Sequence, residues 1–179
     1  MVTTWALLAP GPSASADLAE SIRHLPTGAV SNAYQLAPWA QFVAASDAAW
    51  WRKYPEAMKF PERYAMAPVG GVERVWSQFG APCNSGVLAL EVVKMKGAKR
   101  VILLGFDMRG DHFFGRYTNG LTNTSPDRRR AHLRQYEAWA KANRDIEVLN
   151  ATSGSALTCF PIARLDDYSC DVQVGDAGL

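Results

Sequence analysis

Asn84-Ser-Gly-Val-Leu-Ala-Leu-Glu-Val-Val-Lys-Met-Lys-Gly-Ala-Lys-Arg-Val-Ile-Leu-Leu-Gly-Phe-Asp107 reads as a helix, a tight turn and a buried strand that ends in a carboxylate. Ser85 offers a hydroxyl to cap the orphan N–H groups of a first helical turn. Gly86 lets another group approach that backbone, and Gly97 stands where a helix commonly stops. Val87, Leu88, Leu90, Val92, Val93 and Met95 leave only Glu91 and Lys94 as a polar stripe, which predicts a helix covered over most of its circumference. Val101 to Leu104 is apolar without alternation, as expected of a parallel strand buried on both faces. Phe106 and Asp107 stand at its carboxyl end. In open α/β sheets ligands bind at that edge, so Asp107 is a site candidate from its position alone.

Outward from this unit the pattern repeats. Trp5 to Ala9 is a short apolar run broken by Pro10-Gly11-Pro12-Ser13, and Ser15 can cap a helix whose Leu18, Ile22 and Leu25 share one face. The chain thus opens as strand, turn and helix, and a turn of this kind can hold a phosphate on its N–H groups and the Ser13 hydroxyl. Ala29-Val30 leads into Ser31-Asn32, and Gln41 to Ala45 leads into Ser46-Asp47. Asn32 and Asp47 suit ribose hydroxyls or base edges, and each can equally cap the next segment, Asp47 above all, since a helical stretch runs from Ala48 to Tyr54. Trp50 and Trp51 read as packing residues. Pro55 to Cys83 is rich in proline and glycine around two extended runs, Tyr64 to Val69 and Val72 to Trp76, and admits an extra strand and a loop. Ser125-Pro126 starts a last long helix through Leu133, Tyr136 and Trp139 to about Asn143. Ile146 to Leu149 is a final strand ending in Asn150, and Ser155 begins a short helical turn that Pro161 ends.

The long loop after Asp107 holds His112 and Tyr117 among Gly, Asn and Thr. Loops of that length at a ligand edge are commonly lids, and an imidazole there suits general-base work near neutral pH. Arg128, Arg129 and Arg130 oppose the dipole of the helix they begin. Such a cluster is ordinarily a solvated face, and a phosphate or partner would relieve it.

With 179 residues, 48% of them apolar and 20% charged, the chain fits one globular domain over residues 1–165, with a frayed tail at 166–179. No long apolar run occurs and the first residues lack a basic region, so a soluble cytoplasmic protein is expected, without membrane association. Cys83, Cys159 and Cys170 form no close pair, which fits a reducing compartment. His24, His112 and His132 are too scattered for a zinc site, and a net charge of +2 does not imply nucleic acid as a partner.

Gly11-Pro12-Ser13 after the first strand, Asn32 after the second, Asn84-Ser85-Gly86 opening a helix, Gly105-Phe106-Asp107, and Asn150 with Ser155 together resemble the small bacterial sialyltransferases that use CMP-sialic acid. Similar too are a related group of often phage-encoded proteins and the pterin pyrophosphokinase-like proteins that share the Gly-Pro-Ser turn. The resemblance spans about Trp5 to Leu165. It implies an α/β, Rossmann-like three-layer α/β/α fold with a mostly parallel sheet, and a glycosyltransferase-like enzyme working from a nucleotide-activated donor, CMP-linked in that family, with no further cofactor. Binding roles fall to Gly11, Pro12, Ser13, Asn32, Asp47, Ser85, Gly86, Asn150 and Ser155. His112, Tyr117 and Asp107 take the catalytic roles. The sialyltransferases carry Gly-Asn-Gly-Pro-Ser where this chain has Ala9-Pro10-Gly11-Pro12-Ser13. That departure keeps open a non-catalytic nucleotide-binding module; a magnesium-dependent pyrophosphokinase using Asp47 and Asp107 is the other alternative.

Overall fold

The computed structural model describes residues 3–79 and 84–165, so the expected tail at 166–179 and two of the three cysteines, Cys83 and Cys170, lie outside the described residues. Seven strands are present: β1 (Thr4–Leu8), β2 (Thr27–Val30), β3 (Phe42–Ala44), β4 (Glu62–Ala65), β5 (Glu73–Arg74), β6 (Arg100–Leu104) and β7 (Glu147–Asn150). They form one sheet in the order β5-β4-β3-β2-β1-β6-β7, every neighbouring pair parallel. With helices α1 (Ala16–Ser21), α2 (Ala48–Lys53), α3 (Ser85–Met95) and α4 (Pro126–Ala142), this is an α/β Rossmann-like fold. No helix among the described residues is long and apolar enough to cross a membrane.

The continuous apolar runs arise from burial on both faces. Trp5, Leu7, Val101, Leu103 and Val148 pack with residues of α3 and α4, Leu90 and Trp139 among them. Their neighbours Ala6, Leu8, Ile102 and Leu104 pack with Ala19, Ile22, Trp50 and Trp51 on the other side. Successive residues of a strand point to opposite faces, so a strand covered twice has no place for polar alternation. Leu7, Leu8, Leu103 and Leu104 are fully buried. At roughly 1.5–3 kcal/mol for each such side chain, β1 and β6 anchor the sheet.

Several local expectations change. Asn84, not Ser85, caps α3, its Oδ1 accepting from the Val87 N–H at 2.9 Å. The helix ends as expected at Gly97 (φ 79°), where Gly97 N donates to Lys94 O and Ala98 N to Val93 O in the paired pattern of a Schellman motif. Met95 stands 60% exposed, at the helix end beyond the cover of the sheet. Asp47 occupies the cap position of α2, but its side chain makes no capping bond. No helical turn forms from Ser155 to Phe160. The stretch after residue 55 contributes a 3-10 turn (Pro55–Lys59), the strand β4 and, at the edge of the sheet, the two-residue strand β5. Their polar residues Glu62, Arg63, Glu73 and Arg74 hide them from pattern reading.

The two outer edges of the sheet end differently. On β5, Glu73 and Arg74 are exposed, and the Arg74 guanidinium lies 4.0 Å over the ring of Trp76, itself 67% exposed. At the end of β7 the chain returns alongside: Asn150 N donates to Pro161 O at 2.8 Å and Ala163 N to Asn150 O at 3.1 Å.

Candidate functional site

Strands β1 to β5 succeed one another outward in one direction, whereas β6 and β7 lie on the other side of β1. The order therefore reverses between β1 and β6, and α1 and α4, the helices that come after these two strands, pack into the cores on opposite faces. A crevice opens where the two connections part, as doubly wound sheets require. Here it is a cleft of about 380 Å³.

The end of β1 forms its floor. Gly11 N donates to Gly105 O at 3.0 Å, and a Cβ on Gly11 would lie 2.1 Å from Asp107 Oδ2 and 2.3 Å from Gly105 O. Only glycine fits there. Ser13 donates to Asp107 Oδ2 from both its hydroxyl (2.8 Å) and its N–H (3.3 Å). The donors expected to hold a phosphate are thus engaged with Asp107, and neither Pro12 nor Ser13 lines the cleft. Asp107 does line it, although only 4% exposed.

Asn32, past β2, is 1% exposed and outside the lining. Its Oδ1 accepts from Trp50 Nε1 and from Tyr117 OH, each at 2.8 Å. An indole N–H only donates, so it fixes which way the Asn32 amide faces. Asn32 thereby ties α2 and the late loop to the sheet edge. Asp47, Trp50, Ser85 and Gly86 all line the cleft. Ser85 Oγ accepts from Ser46 N at 3.0 Å, joining the start of α3 to the end of β3. A Cβ on Gly86 would meet the Tyr136 hydroxyl at 1.9 Å. The group that approaches this glycine is therefore a side chain of α4.

The loop after β6 supplies His112 and Tyr117, both in the lining. His112 stacks on Phe114 at 4.8 Å, and its Nδ1 lies 3.3 Å from Gly115 O. A carbonyl only accepts, so Nδ1 carries the hydrogen in that bond and Nε2 keeps the lone pair of the neutral ring. Burial holds His112 below the ordinary histidine range, with a lesser push from Arg129, against the Gly115 carbonyl and Asp111, which act the other way. Burial likewise raises Tyr117, so it stays a neutral phenol. Among the described residues, Ser31 (φ 46°) and Met108 (φ 53°) are the non-glycine residues with left-handed backbone, and both line the cleft. Strain of this kind tends to gather at functional sites.

Helix α4 closes the remaining side with Arg128, Arg129 and His132. In sequence the arginines look like a solvated face, and His132 attracts no role. The usable signal was spacing, since positions 128 and 129 stand one helical turn before 132. Asn150 and Ser155 do not face the cleft. Asn150 is fully buried, its Nδ2 donating to Leu157 O at 3.2 Å and its Oδ1 accepting from Thr152 N at 3.1 Å. Ser155 Oγ donates to Phe106 O at 2.6 Å and accepts from Leu157 N at 3.0 Å. Both secure the chain after β7, which gives their polarity an architectural use. Among the described residues no three His, Cys, Asp or Glu side chains are grouped as metal ligands. Comparison of the chain with protein-family models, with curated proteins and with solved structures finds no match.

Proposed function

We propose that the cleft binds a nucleotide-activated sugar and that the protein transfers the sugar to an acceptor hydroxyl. The observation that carries this reading is His112, a neutral imidazole with its Nε2 lone pair, standing in the cleft at the point where the strand order reverses. In the transfer, Nε2 takes the acceptor's proton as the acceptor oxygen bonds to the anomeric carbon. The bond from that carbon to the phosphate oxygen breaks, and the phosphate leaves with the electron pair. The backbone N–H groups of Ser85 and Gly86, in the first turn of the 11-residue α3, suit the departing charge. Tyr117 gives its hydroxyl hydrogen to Asn32, so it positions the loop that carries His112.

Calorimetric titration with a panel of nucleotides and nucleotide sugars, coupled to product analysis, tests the proposal. His112→Ala should lower turnover by about 10²–10⁴-fold while leaving nucleotide affinity unchanged; undiminished turnover removes the base. One observation favours a second reading, a module that binds without consuming: Ser13 and Asn32 already have partners within the chain. Binding with no product in any combination of donor and acceptor would select it. Turnover abolished by EDTA would instead select the magnesium-dependent pyrophosphokinase.

A further inference from the structure

We infer that the first turns of α4 form an anion-binding subsite of the cleft, in which Arg128, Arg129 and His132 take a tetrahedral dianion such as a phosphate group. The inference rests on the reading above only in treating the cleft as a ligand site, and it names a phosphate-bearing ligand for it. The three residues stand on one face of the helix, His132 being four residues from Arg128 and three from Arg129, and all three line the cleft.

Neither arginine has a carboxylate partner among the described residues, whereas Arg130, next in the chain, pairs with Asp127 and lies outside the lining. Arg129 is nevertheless held in place, its Nη2 donating to Gly110 O at 2.8 Å. The guanidinium fork matches the oxygens of a tetrahedral anion, and a fixed fork loses less freedom on binding. Cations in the first turn of a 17-residue helix also stand against its dipole. A single anion would answer both cations and the dipole.

The acidic groups of the same cleft do not answer that demand. Asp107 is held by Ser13, Asp111 lies 3.8 Å from Arg116, and Asp47 belongs to the segment after β3. The other charged or titratable groups that share the cleft with His132 are Arg109, His112 and Tyr117, on the loop after β6, and Tyr136 of α4 itself. Burial first, then Arg128 and Arg129, push His132 down to about 4. By itself the cluster therefore carries two charges near neutral pH. A bound dianion offsets the repulsion and lets the imidazole take up a proton, so binding should strengthen on acidification.

Calorimetric titration with sulfate, a dianion across the working range, is the test. One site per chain is expected, weakened by about fivefold or more in Arg128→Gln and in Arg129→Gln. Arg130→Gln should change affinity less than about twofold, as an exposed charge paired elsewhere. Affinity should rise several-fold between about pH 7.5 and 5.5, and this rise should vanish in His132→Asn. Equal weakening in all three arginine variants would mean attraction by net charge alone and would overturn the subsite, as would unaltered binding in Arg128→Gln and Arg129→Gln. A rise that persists in His132→Asn removes His132 from it. The two proposals fail separately: sulfate binding without sugar transfer leaves the subsite standing, and sugar transfer without sulfate binding sinks the subsite alone.

Discussion

Asn32 and Asn150 stand at comparable places, one just past β2 and the other closing β7, and they are 1% and 0% exposed. Their amides do different things. Asn150 serves the backbone just beyond it, satisfying Thr152 N and Leu157 O. Asn32 instead receives side chains from two other elements, Trp50 of α2 and Tyr117 of the late loop. After β7 the chain turns back along the sheet, and a backbone laid down in a buried place must have its polar groups matched nearby. Around the strand reversal the connections part, so side chains bridge between them and an opening is left. A polar residue at a strand end thus marks the edge of the sheet. The parting of connections marks the place for a ligand.

The contrast is sharpest in a pair of alanine variants. Asn150→Ala leaves a buried N–H and a buried carbonyl unmatched and should lower unfolding free energy by about 2–4 kcal/mol in urea titrations, with sulfate affinity unaltered. Asn32→Ala should lower it by roughly 1–2 kcal/mol, because a phenol and an indole at the cleft side can find water, and should speed amide exchange in residues 108–124. Equal losses with no change in exchange would erase the distinction between the two asparagines.

A smaller effect comes from pH. His132 sits at about 4 when folded and near 6.5 when unfolded, so between these values the unfolded chain binds more protons. Stability therefore rises with pH across this window and falls on acidification. Allowing for partial exposure, its share is about 1–2 kcal/mol, read as the difference in slope between the parent and His132→Asn. Least affected should be Asp47→Ala. With no capping bond to lose, its stability should change by less than about 0.5 kcal/mol, where a working cap would cost about 1.

Much of this architecture could be read before any coordinates. β1 and β6 were plain because burial on two faces strips their interiors of polar residues, β7 because Ile146, Val148 and Leu149 make a short apolar run, and α1 and α4 because Ser15 and Ser125 do cap them, accepting from Leu18 N and Arg128 N. β4 and β5 were obscure because they are short, lie toward the outer margin of the sheet and carry Glu62, Arg63, Glu73 and Arg74. Asn84 and Ser85 are both cap formers and adjacent, so only the helix register separates them. Gly11, Asp47, Ser85, Gly86 and Asp107, read from strand and helix ends, and His112 and Tyr117, read from the late loop, all line the cleft. Ser13 and Asn150 looked the same in sequence, and their bonds within the chain depend on what the fold brings opposite them. The left-handed backbone at Ser31 and Met108 had no sequence mark at all, since neither residue type favours it.

The two margins of the sheet bear on how this protein behaves when crowded. A parallel sheet with a bare outer strand invites a neighbour to add its own, and chains joined in that way polymerise. Here one margin is a two-residue strand bearing a glutamate and an arginine, too short and too charged to template a newcomer. The other is overlaid at its end by returning chain that begins with a proline, which has no N–H to offer. Both flanks are blunted, which disfavours the addition of a further strand at either margin.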